Sequence, residues 1–426
     1  MASYRDQSSK LVVMETLSLL RKQYRTDAGQ KQLGEVTDQM IAHEDRCAAV
    51  ANDTYHRLVG DSEYYKHRSN LAAFILQRDV VSQEEVGDVY EVVALGTGAT
   101  WYQGWQDYHG LLVHDCHAVV IARRALLRYL YKEVALYYSK VPGATEKSIF
   151  CPSQQTQSLV LKPNTFFHLY LSRVPEEATP SVLSWREQTG VHLSIHAKGS
   201  TRRVSECPPS ILNTHVCCMS VTDKLLKWSA LGVQGALLSQ FVDPLYITSI
   251  ITGSKRHQME ALSQALDRLH PPLDMTLFRP YSVCSPYLLI VPEINSNHSS
   301  PIHPSHSLNW TKGDKNVENI DATTGQTVEK PFSLPPSTAS RLCKAAMLMY
   351  YMDVQNSLGK QQIQDSYYHA KVSSDQYQRA KTLLYSQLNT YGHGVWPRKL
   401  CVDRFRASTV QGPDGDSWVR FQWELH

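Results

Sequence analysis

The stretch HDCHAVVIARRALLRYLY, residues 114–131, is the most informative part of the chain. Apolar residues fill most of it, so it predicts a long buried helix that reaches Ser139. Two adjacent arginines, Arg123 and Arg124, interrupt the apolar residues. Two neighbouring arginines in an apolar helix are not expected both to reach water, and a buried cation without a partner is very costly. The helix therefore predicts internal partners for these two cations.

Segments on both sides of this helix alternate between strand and helix patterns. VYEVVALGTGATW predicts a strand with a glycine turn, and FFHLYLS predicts a strand from its period-2 aromatic composition. THVCCMSVTDKLLKWSALG passes from a strand into a helix, and CAAVANDTYHRLV, from about Cys47, predicts an earlier helix. This alternation favours an α/β sandwich.

The composition is that of a globular protein. The chain has 426 residues, of which 42% are hydrophobic and 19% charged, which is sufficient for a substantial core. A net charge of +3 permits nucleic-acid contact through local patches without requiring it. The sequence contains no apolar run of roughly 20 residues and does not start like a signal peptide, so we expect no membrane segment. Nine scattered cysteines suit a reducing compartment, and we expect a nuclear or cytoplasmic protein.

Local composition divides the chain into one domain with two flanking segments. Residues 1–45 are polar with helical spacing and predict an N-terminal helical extension. Residues 46–410 form the domain, and residues 411–426 form a C-terminal tail. Within the domain, residues 292–307 are rich in Ser, Pro, Asn and His and predict a flexible loop.

His117 heads the long helix as a metal ligand would. Hydrolytic deamination of a base needs a Zn²⁺ ion that lowers the pKa of a bound water, and a carboxylic acid that carries its proton to the leaving ammonia. The metal takes three protein ligands, commonly one His and two Cys, and keeps one position open. The acid follows the histidine by two residues in an H-x-E pattern, and Val119 stands there in this chain. Valine neither accepts nor donates a proton.

Longer motifs surround this helix in the order LGTG…HDCHA…IARR, LYLS, MSVTDKLLKWSALGVQGALLSQFVDPLYITSIITGS and SLNWTKGD…IDATTG…SRLCK. Over roughly residues 50–405 they resemble the RNA adenosine deaminase family, enzymes that convert adenosine to inosine in double-stranded RNA. The resemblance implies a cytidine-deaminase-like three-layer α/β/α core with a mainly helical C-terminal half packed on it.

The chain departs from this family at the positions that carry the chemistry. One zinc cysteine of the family lies in a Pro–Cys–Gly turn, where Glu176 stands in this sequence. The other lies in a motif like MSCSDK, where MSVTDK places Val221. Together with Val119 these replacements leave His117 as the remnant of the metal set. The resemblance therefore predicts a pseudoenzyme without catalytic residues and without zinc.

Replacement ligands are the alternative, and they would give an active deaminase with a rewired zinc site. Glu176 could supply an oxygen ligand, and Cys116, Cys217 and Cys218 lie nearby in sequence. Cys116 precedes the inward helix position by one residue, however. Cys218 lies three residues before the lost cysteine position, about 10 Å along an extended strand.

By the same resemblance, a second set of residues matches the positions that surround a buried structural inositol hexakisphosphate. These are Arg123, Arg124, Lys224, Lys227, Lys344, Tyr367, Lys371, Tyr377, Lys381, Trp396 and Lys399. A ligand with many phosphates needs several cations to be buried, and tyrosine and tryptophan add hydrogen-bond donors. The chain departs from the family set at His114, Cys218 and Arg398. The alternative is an ordinary solvated basic face.

RNA contact is predicted from two basic runs, although such runs are usually solvated loops. They are KGSTRR, with Lys198, Arg202 and Arg203, and GSKRH, with Lys255 and Arg256. Both suit contacts to phosphates. The family flips bases with a glycine-flanked Glu, which REQTGVHLSIH lacks, so we expect base flipping to be lost.

Loss of both the acid and the zinc cysteines is most similar to the germ-cell adenosine deaminase domain-containing proteins, a catalytically inactive branch. This similarity implies a regulator in male germ-cell RNA processing that binds double-stranded RNA or protein partners. The alternatives are an active double-stranded RNA adenosine deaminase with rewired ligands and a pure protein-interaction scaffold. The sequence contains no recognisable double-stranded-RNA-binding module, which would fit a fragment or a short isoform.

Overall fold

The computed structural model describes residues 41–60, 70–81, 86–175, 192–269, 277–292, 304–328, 339–359, 366–398 and 401–407. The predicted N-terminal extension up to residue 40 and the C-terminal tail lie outside these residues, as do most of the predicted loop and the REQTG part of the flipping region. Glu176 and Lys399 also lie outside them.

The described chain contains both helices and strands along most of its length. The helices are α1 (His43–Val59), α2 (Ala118–Tyr137), α3 (Ala144–Lys147), α4 (Pro209–Leu212), α5 (Val221–Leu231), α6 (Gly235–Leu238), α7 (Arg256–Leu266), α8 (Lys344–Ser357), α9 (Tyr367–Val372) and α10 (Asp375–Thr390). The strands are β1 (Leu71–Val81), β2 (Val86–Thr97), β3 (Phe150–Pro152), β4 (Leu159–Leu161), β5 (Thr165–Leu171), β6 (Ser194–Ala197), β7 (Ser200–Arg203), β8 (Cys217–Met219), β9 (Ile247–Thr252), β10 (Tyr287–Ile290), β11 (His306–Thr311), β12 (Glu318–Asp321) and β13 (Gln326–Thr327).

An eight-stranded sheet in the order β10-β9-β5-β1-β2-β11-β12-β13 forms the centre of the fold. Strands β5, β9 and β10 run parallel to one another, and the remaining pairs are antiparallel. A smaller sheet in the order β7-β6-β8 and a β3-β4 pair complete the strands of the described residues.

The central sheet carries helices on both faces, because side chains along β1 alternate between two cores. Phe74 and Leu76 pack in the core that contains α2, whereas Ala73 and Ile75 pack in the core that contains α1. All four are at most 1% exposed. Successive residues of a strand point to opposite faces, so both faces of this strand are covered. The α/β prediction is therefore confirmed.

Two glycines allow α2 to lie directly on the end of β2. A Cβ atom on Gly96 would lie 2.4 Å from the backbone nitrogen of Ala122. Gly98 adopts a φ of +122°, and a Cβ atom there would lie 2.0 Å from Ser307 Oγ. Neither position tolerates a side chain without movement of the backbone. This close approach brings the start of α2 to the edge of the core.

The long helix begins later than the sequence predicted. Residues 114–117 are not helical: His117 is the N-cap residue of α2 with extended φ and ψ values of −64° and 140°. The Cys116 nitrogen donates to Thr100 O, and the Ala118 nitrogen donates to Gly98 O. These bonds hold the segment in a loop against the glycine turn. The carbonyl groups of that turn accept the hydrogen bonds that a preceding helical turn would otherwise accept.

Helices predominate from Lys344 onward, where α8, α9 and α10 follow one another and pack against α2, α5 and α6. They share one hydrophobic core with α2 and with one face of the sheet. Within the described residues, we find no helix with both the length and the apolar character that crossing a membrane requires.

Candidate functional site

His117 is fixed in orientation by the carboxylate of Asp115. Its Nδ1 lies 2.8 Å from Asp115 Oδ1, which also accepts a hydrogen bond from the His117 backbone nitrogen. The other carboxylate oxygen, Oδ2, is bound by Lys224 Nζ. Burial would raise the pKa of Asp115, but the charges of Lys224 and His117 outweigh it and hold that pKa well below its usual value. Asp115 is therefore an ionised anchor for both side chains.

Two further aromatic rings pack against the His117 ring. The centroid of Trp101 lies 5.6 Å from that of His117 and 4.5 Å from that of His196, and the two histidine centroids are 4.9 Å apart. All three ring pairs are within 29° of parallel. The remnant ligand is therefore held between stacked aromatic rings and the Asp115 carboxylate.

Two positions of the candidate centre, the one expected to hold the acid and one expected to hold a metal ligand, carry valines. Val119 is 6% exposed and Val221 is 2% exposed, so both are packed into the core. Their side chains offer no lone pair to a metal and no proton to a leaving group.

The neighbouring cysteines face backbone carbonyl groups instead. Cys116 Sγ lies 3.8 Å from Val113 O, and Cys218 Sγ lies 3.5 Å from His114 O. Burial, with the nearby charge of Asp115, raises the pKa of Cys116 well above its ordinary value, which disfavours the thiolate that zinc requires. Within the described ranges, no group of three or more His, Cys, Asp or Glu side chains is arranged to hold a metal ion. The described residues thus do not fit zinc.

A cluster of cations lies behind this site, between α2 and the C-terminal helices. Arg123 Nε donates to Val233 O at 2.8 Å, and its guanidinium carbon lies 5.5 Å from the centre of the Trp228 ring. Arg124 donates to Leu342 O at 2.5 Å. Burial lowers the pKa of Arg123 to about 10. Both arginines are half-buried and find carbonyl groups, as the sequence implied they must find partners.

Lys227 is the least compensated member of this cluster. Its Nζ lies 5.7 Å from the centre of the Tyr385 ring and 5.3 Å from that of Trp396. Burial lowers the pKa of Lys227 well below its ordinary value, and the charges of Lys381 and Lys371 lower it further. Aromatic faces attract a cation but do not neutralise it. The site thus places a partly desolvated ammonium group where an anion would be stabilising.

Asp403 connects two other lysines of the cluster. Its two oxygens lie 2.7 Å from Lys344 Nζ and 2.6 Å from Lys371 Nζ. Burial would raise the pKa of Asp403, but Lys371 and Lys344 hold it well below its usual value. Burial would likewise lower the pKa of Lys371, but the Asp403 charge outweighs that effect and raises it.

The cluster has a large excess of positive charge. It contains seven cationic side chains, namely Arg123, Arg124, Lys224, Lys227, Lys344, Lys371 and Lys381, and two carboxylates, Asp115 and Asp403, bind three of them. In the part of the chain that the structure describes, no carboxylate lies within salt-bridge distance of the other four. Tyr367 and Tyr377 belong to the same interior. Lys371 Nζ lies 5.2 Å from the centre of the Tyr367 ring, and burial raises the pKa of Tyr377 although the charges of Arg123 and Lys371 oppose this rise.

The structure therefore brings together ten of the eleven residues that the sequence assigned to a polyphosphate ligand, and Lys399 lies outside the described residues. The predicted RNA-binding residues lie on two separate elements. Lys198 is in the turn of the β6–β7 hairpin and Arg202 and Arg203 are on β7, whereas Lys255 and Arg256 start α7 after β9. Lys198, Lys255 and Arg256 are exposed.

Sequence reasoning missed several residues of these two sites. Trp101 and His196 come from distant segments, and nothing in their local sequence predicts that their rings meet. Tyr385 follows Lys381 by four residues on α10, so helical spacing alone could have placed it beside that lysine. Asp403 is the one acidic residue of the RKLCVDRF segment, residues 398–405. Because its charged neighbours are all basic, its position could have predicted an ion pair with the cationic cluster.

Comparison with known proteins extends over most of the chain. The family model for the adenosine-deaminase (editase) domain matches residues 94–400. The double-stranded RNA-specific editase B2 of Mus musculus is 28% identical over 370 residues, which cover 80% of this chain and 47% of that protein. The double-stranded RNA-specific adenosine deaminase of Mus musculus is 29% identical over 394 residues, covering 85% of this chain and 32% of that protein. The double-stranded RNA-specific editase Adar of Drosophila melanogaster is 25% identical over 380 residues, which cover 84% of this chain and 54% of that protein. The chain thus spans about half the length of these relatives or less.

Proposed function

The chain belongs to the RNA adenosine deaminase (editase) family, and we propose that it is a member that has lost catalysis and acts by binding. Its role would be regulation of RNA processing in male germ cells, in the nucleus or the cytoplasm, through contacts with RNA or with protein partners. The germ-cell setting is supported by the similarity to the inactive germ-cell branch alone.

The packing of valines at two positions of the catalytic centre carries this proposal. Hydrolytic deamination needs a metal-activated water and an acid within reach of it. Val119 and Val221 are buried where the acid and one metal ligand belong, and His117 is engaged by Asp115 and by the Trp101 and His196 rings. Removing a general acid or base typically costs a factor of about 10²–10⁴ in rate, and losing the metal as well removes the nucleophile itself.

The cationic cluster supports a second part of the proposal, a buried inositol hexakisphosphate. Four cations of the cluster have no carboxylate partner among the described residues and would bind phosphate groups alone: Arg123, Arg124, Lys227 and Lys381. The other three would bind phosphate groups in addition to Asp115 or Asp403: Lys224, Lys344 and Lys371. The ligand would supply the negative charge that the two carboxylates of the cluster do not provide. Charge-assisted hydrogen bonds to phosphate are about twice as strong as neutral ones, and they would offset the cost of burying several cations.

RNA contact is supported by the relatives, whose names describe them as specific for double-stranded RNA. The exposed Lys198 and the neighbouring Arg202 supply phosphate contacts on the β6–β7 hairpin, and Lys255 and Arg256 supply them at the start of α7. Binding through phosphates falls steeply with salt, by roughly one logarithmic unit of affinity per unit of log salt for each contact. A pure protein scaffold would show no such salt-dependent RNA binding.

Native mass spectrometry of the purified chain, together with an inosine assay on double-stranded RNA, tests the proposal. We expect the mass of one inositol hexakisphosphate, no zinc and no inosine above background, with an active relative as the positive control on the same RNA. Bound zinc or detectable inosine would contradict the loss of catalysis and favour rewired ligands. A chain that folds without any bound polyphosphate would contradict the second part alone.

A further inference from the structure

Trp105 is a large aromatic side chain held open to solvent on a rigid support. It is 66% exposed, and its ring stacks on His215 with centroids 4.4 Å apart and planes 29° from parallel. The two residues form an antiparallel bridge. Hydrogen bonds from Gln106 N to Thr214 O and from Val216 N to Gly104 O, each 3.0 Å long, fix the two segments on either side. His215 covers one face of the indole, and the other face is presented to solvent.

A cavity of about 270 Å³ with a mixed polar and apolar lining opens beside His215, the stacking partner of Trp105. His215 and Gln106 line it on the Trp105 side, and Asn213 and Arg398 are among its other lining residues. Its volume is near the lower end for small-molecule pockets, which begin at about 300 Å³. Gln106 Nε2 is fixed to Leu212 O at 2.8 Å, so this wall is held in place.

The chemistry of the cavity favours a ligand with an aromatic ring and a negative charge. No acidic side chain is among the described residues that line it, and Arg398 supplies an exposed guanidinium. The exposed amide of Asn213 both donates and accepts hydrogen bonds. The basic β6–β7 turn is adjacent, because a Cβ atom on Gly199 would lie 3.1 Å from Gln103 Oε1, two residues before Trp105.

We propose that the Trp105–His215 ring pair and the adjoining cavity bind one unpaired nucleobase of an RNA. The base would stack on the exposed indole face, its polar edge would meet Asn213, and the flanking phosphate would meet Arg398. Aromatic side chains accept any base by stacking, and a basic surface holds the backbone. This site is distinct from the remnant deaminase centre, since neither His117 nor Asp115 lines it. It borders the cationic cluster on the side of Arg398: burial lowers the pKa of Lys381, and the charge of Arg398 helps to lower it. The proposal rests on the RNA-binding part of the proposed function.

A pair of RNA probes tests the site: a blunt duplex, and the same duplex with one unpaired nucleotide. Fluorescence anisotropy should show about tenfold tighter binding of the second RNA by the parent chain, a modest value for one base stacked on an aromatic side chain. Trp105→Ala should abolish this preference, whereas Trp105→Phe should restore most of it. Phe278→Ala removes an aromatic residue that is equally 66% exposed but lies away from the cavity, and it should leave the preference unchanged.

Arg398→Gln separates the phosphate contact from stacking. It should weaken binding of the bulged RNA and reduce the slope of log affinity against log salt by about one. Because Trp105 is exposed and is not a member of the cationic cluster, we expect its variants to keep the parent's melting temperature and bound polyphosphate.

Each contrary result has a definite meaning. If the parent binds both RNAs equally, or Trp105→Ala keeps the preference, the nucleobase site is refuted while RNA binding by the domain stands. If the parent binds neither RNA, the nucleobase site and the RNA-binding part of the proposed function both fail. A third result would be that neither RNA binds but a protein ligand does, and that its binding requires Trp105. This result would assign the ring pair to protein recognition and would equally refute the nucleobase site.

Discussion

Replacing Lys227 with methionine should change stability in opposite directions with and without a bound polyphosphate. When the ligand is present, the variant loses a charge-assisted contact worth about 1.5–3 kcal/mol. It also loses the cation–π contacts with Tyr385 and Trp396, worth about 0.5–2 kcal/mol each when desolvated. We expect a net loss of about 3 kcal/mol in the free energy of unfolding.

Without the ligand, the same change removes a cation that no described carboxylate compensates. An uncompensated buried charge costs about 3–5 kcal/mol, but Lys227 is half-buried and its lowered pKa lets it lose the proton, so only part of that cost applies. Methionine has a similar length and packs well against aromatic rings. We therefore expect a gain of about 1 kcal/mol in the ligand-free chain.

The assay is urea denaturation with and without added inositol hexakisphosphate, since urea does not screen charges. Midpoints at equal slopes give the change in stability. Lys371→Met is the matched control within the cluster: it should destabilise in both conditions, because Lys371 is paired with Asp403 at 2.6 Å. Lys140→Met on the exposed surface should change stability by less than about 0.5 kcal/mol. If Lys227→Met has the same sign and size in both conditions, the cluster does not bind the polyphosphate.

Three further outcomes follow from the structure. Val119→Glu should yield no inosine, because metal ligands are still missing; inosine from that single change would contradict the account of the centre. Burial lowers the pKa of His168 from 6.5 to about 3, so the folded state loses stability as pH falls from about 6.5 towards 3, at up to about 1.4 kcal/mol per pH unit. His168→Gln should reduce the pH dependence of the urea midpoint across that range, whereas the same change at the exposed His109 should leave it as in the parent. Gly96→Ala should lower the free energy of unfolding by about 1–3 kcal/mol, because its methyl group would meet the α2 backbone. Gly87→Ala is the control, because a Cβ atom there meets nothing within 4 Å, and it should not lower stability in this way. Equal effects of the two changes would contradict the close approach of α2 to β2.

The fold class and the family were accessible from sequence, because long motifs and regular periodicity carry them. The start of the long helix was not. The stretch at residues 114–117 has no proline or glycine to stop a helix, and what stops it is a set of hydrogen bonds to Thr100 and Gly98, more than fifteen residues earlier in the chain. Long-range competition of this kind has no local signature.

The same limit applies to the candidate sites. The spacing of Tyr377 and Lys381 on one helix places their side chains on a common face, so part of the cluster was predictable from α10 alone. The ring cluster of Trp101, His117 and His196 depends instead on how a loop, a helix start and β6 meet, which the sequence does not encode locally. That cluster is part of the packing around His117 that local sequence does not predict.

The two sites bear differently on stability, and this difference would allow the fold to persist if catalysis is lost as proposed. Val119 and Val221 put apolar side chains into the core at positions where a deaminase needs buried polar groups, and such replacements are often neutral or stabilising. The cationic cluster is the opposite case, because charges on α2, α5, α8, α9 and α10 converge on one interior and four of them have no carboxylate partner among the described residues. Removing one of its paired charges leaves the partner buried and uncompensated, at a cost of several kcal/mol. The link between the sites is Asp115, which binds both His117 and Lys224. Asp115 therefore has a structural role as a partner of the cluster that does not depend on metal binding by His117.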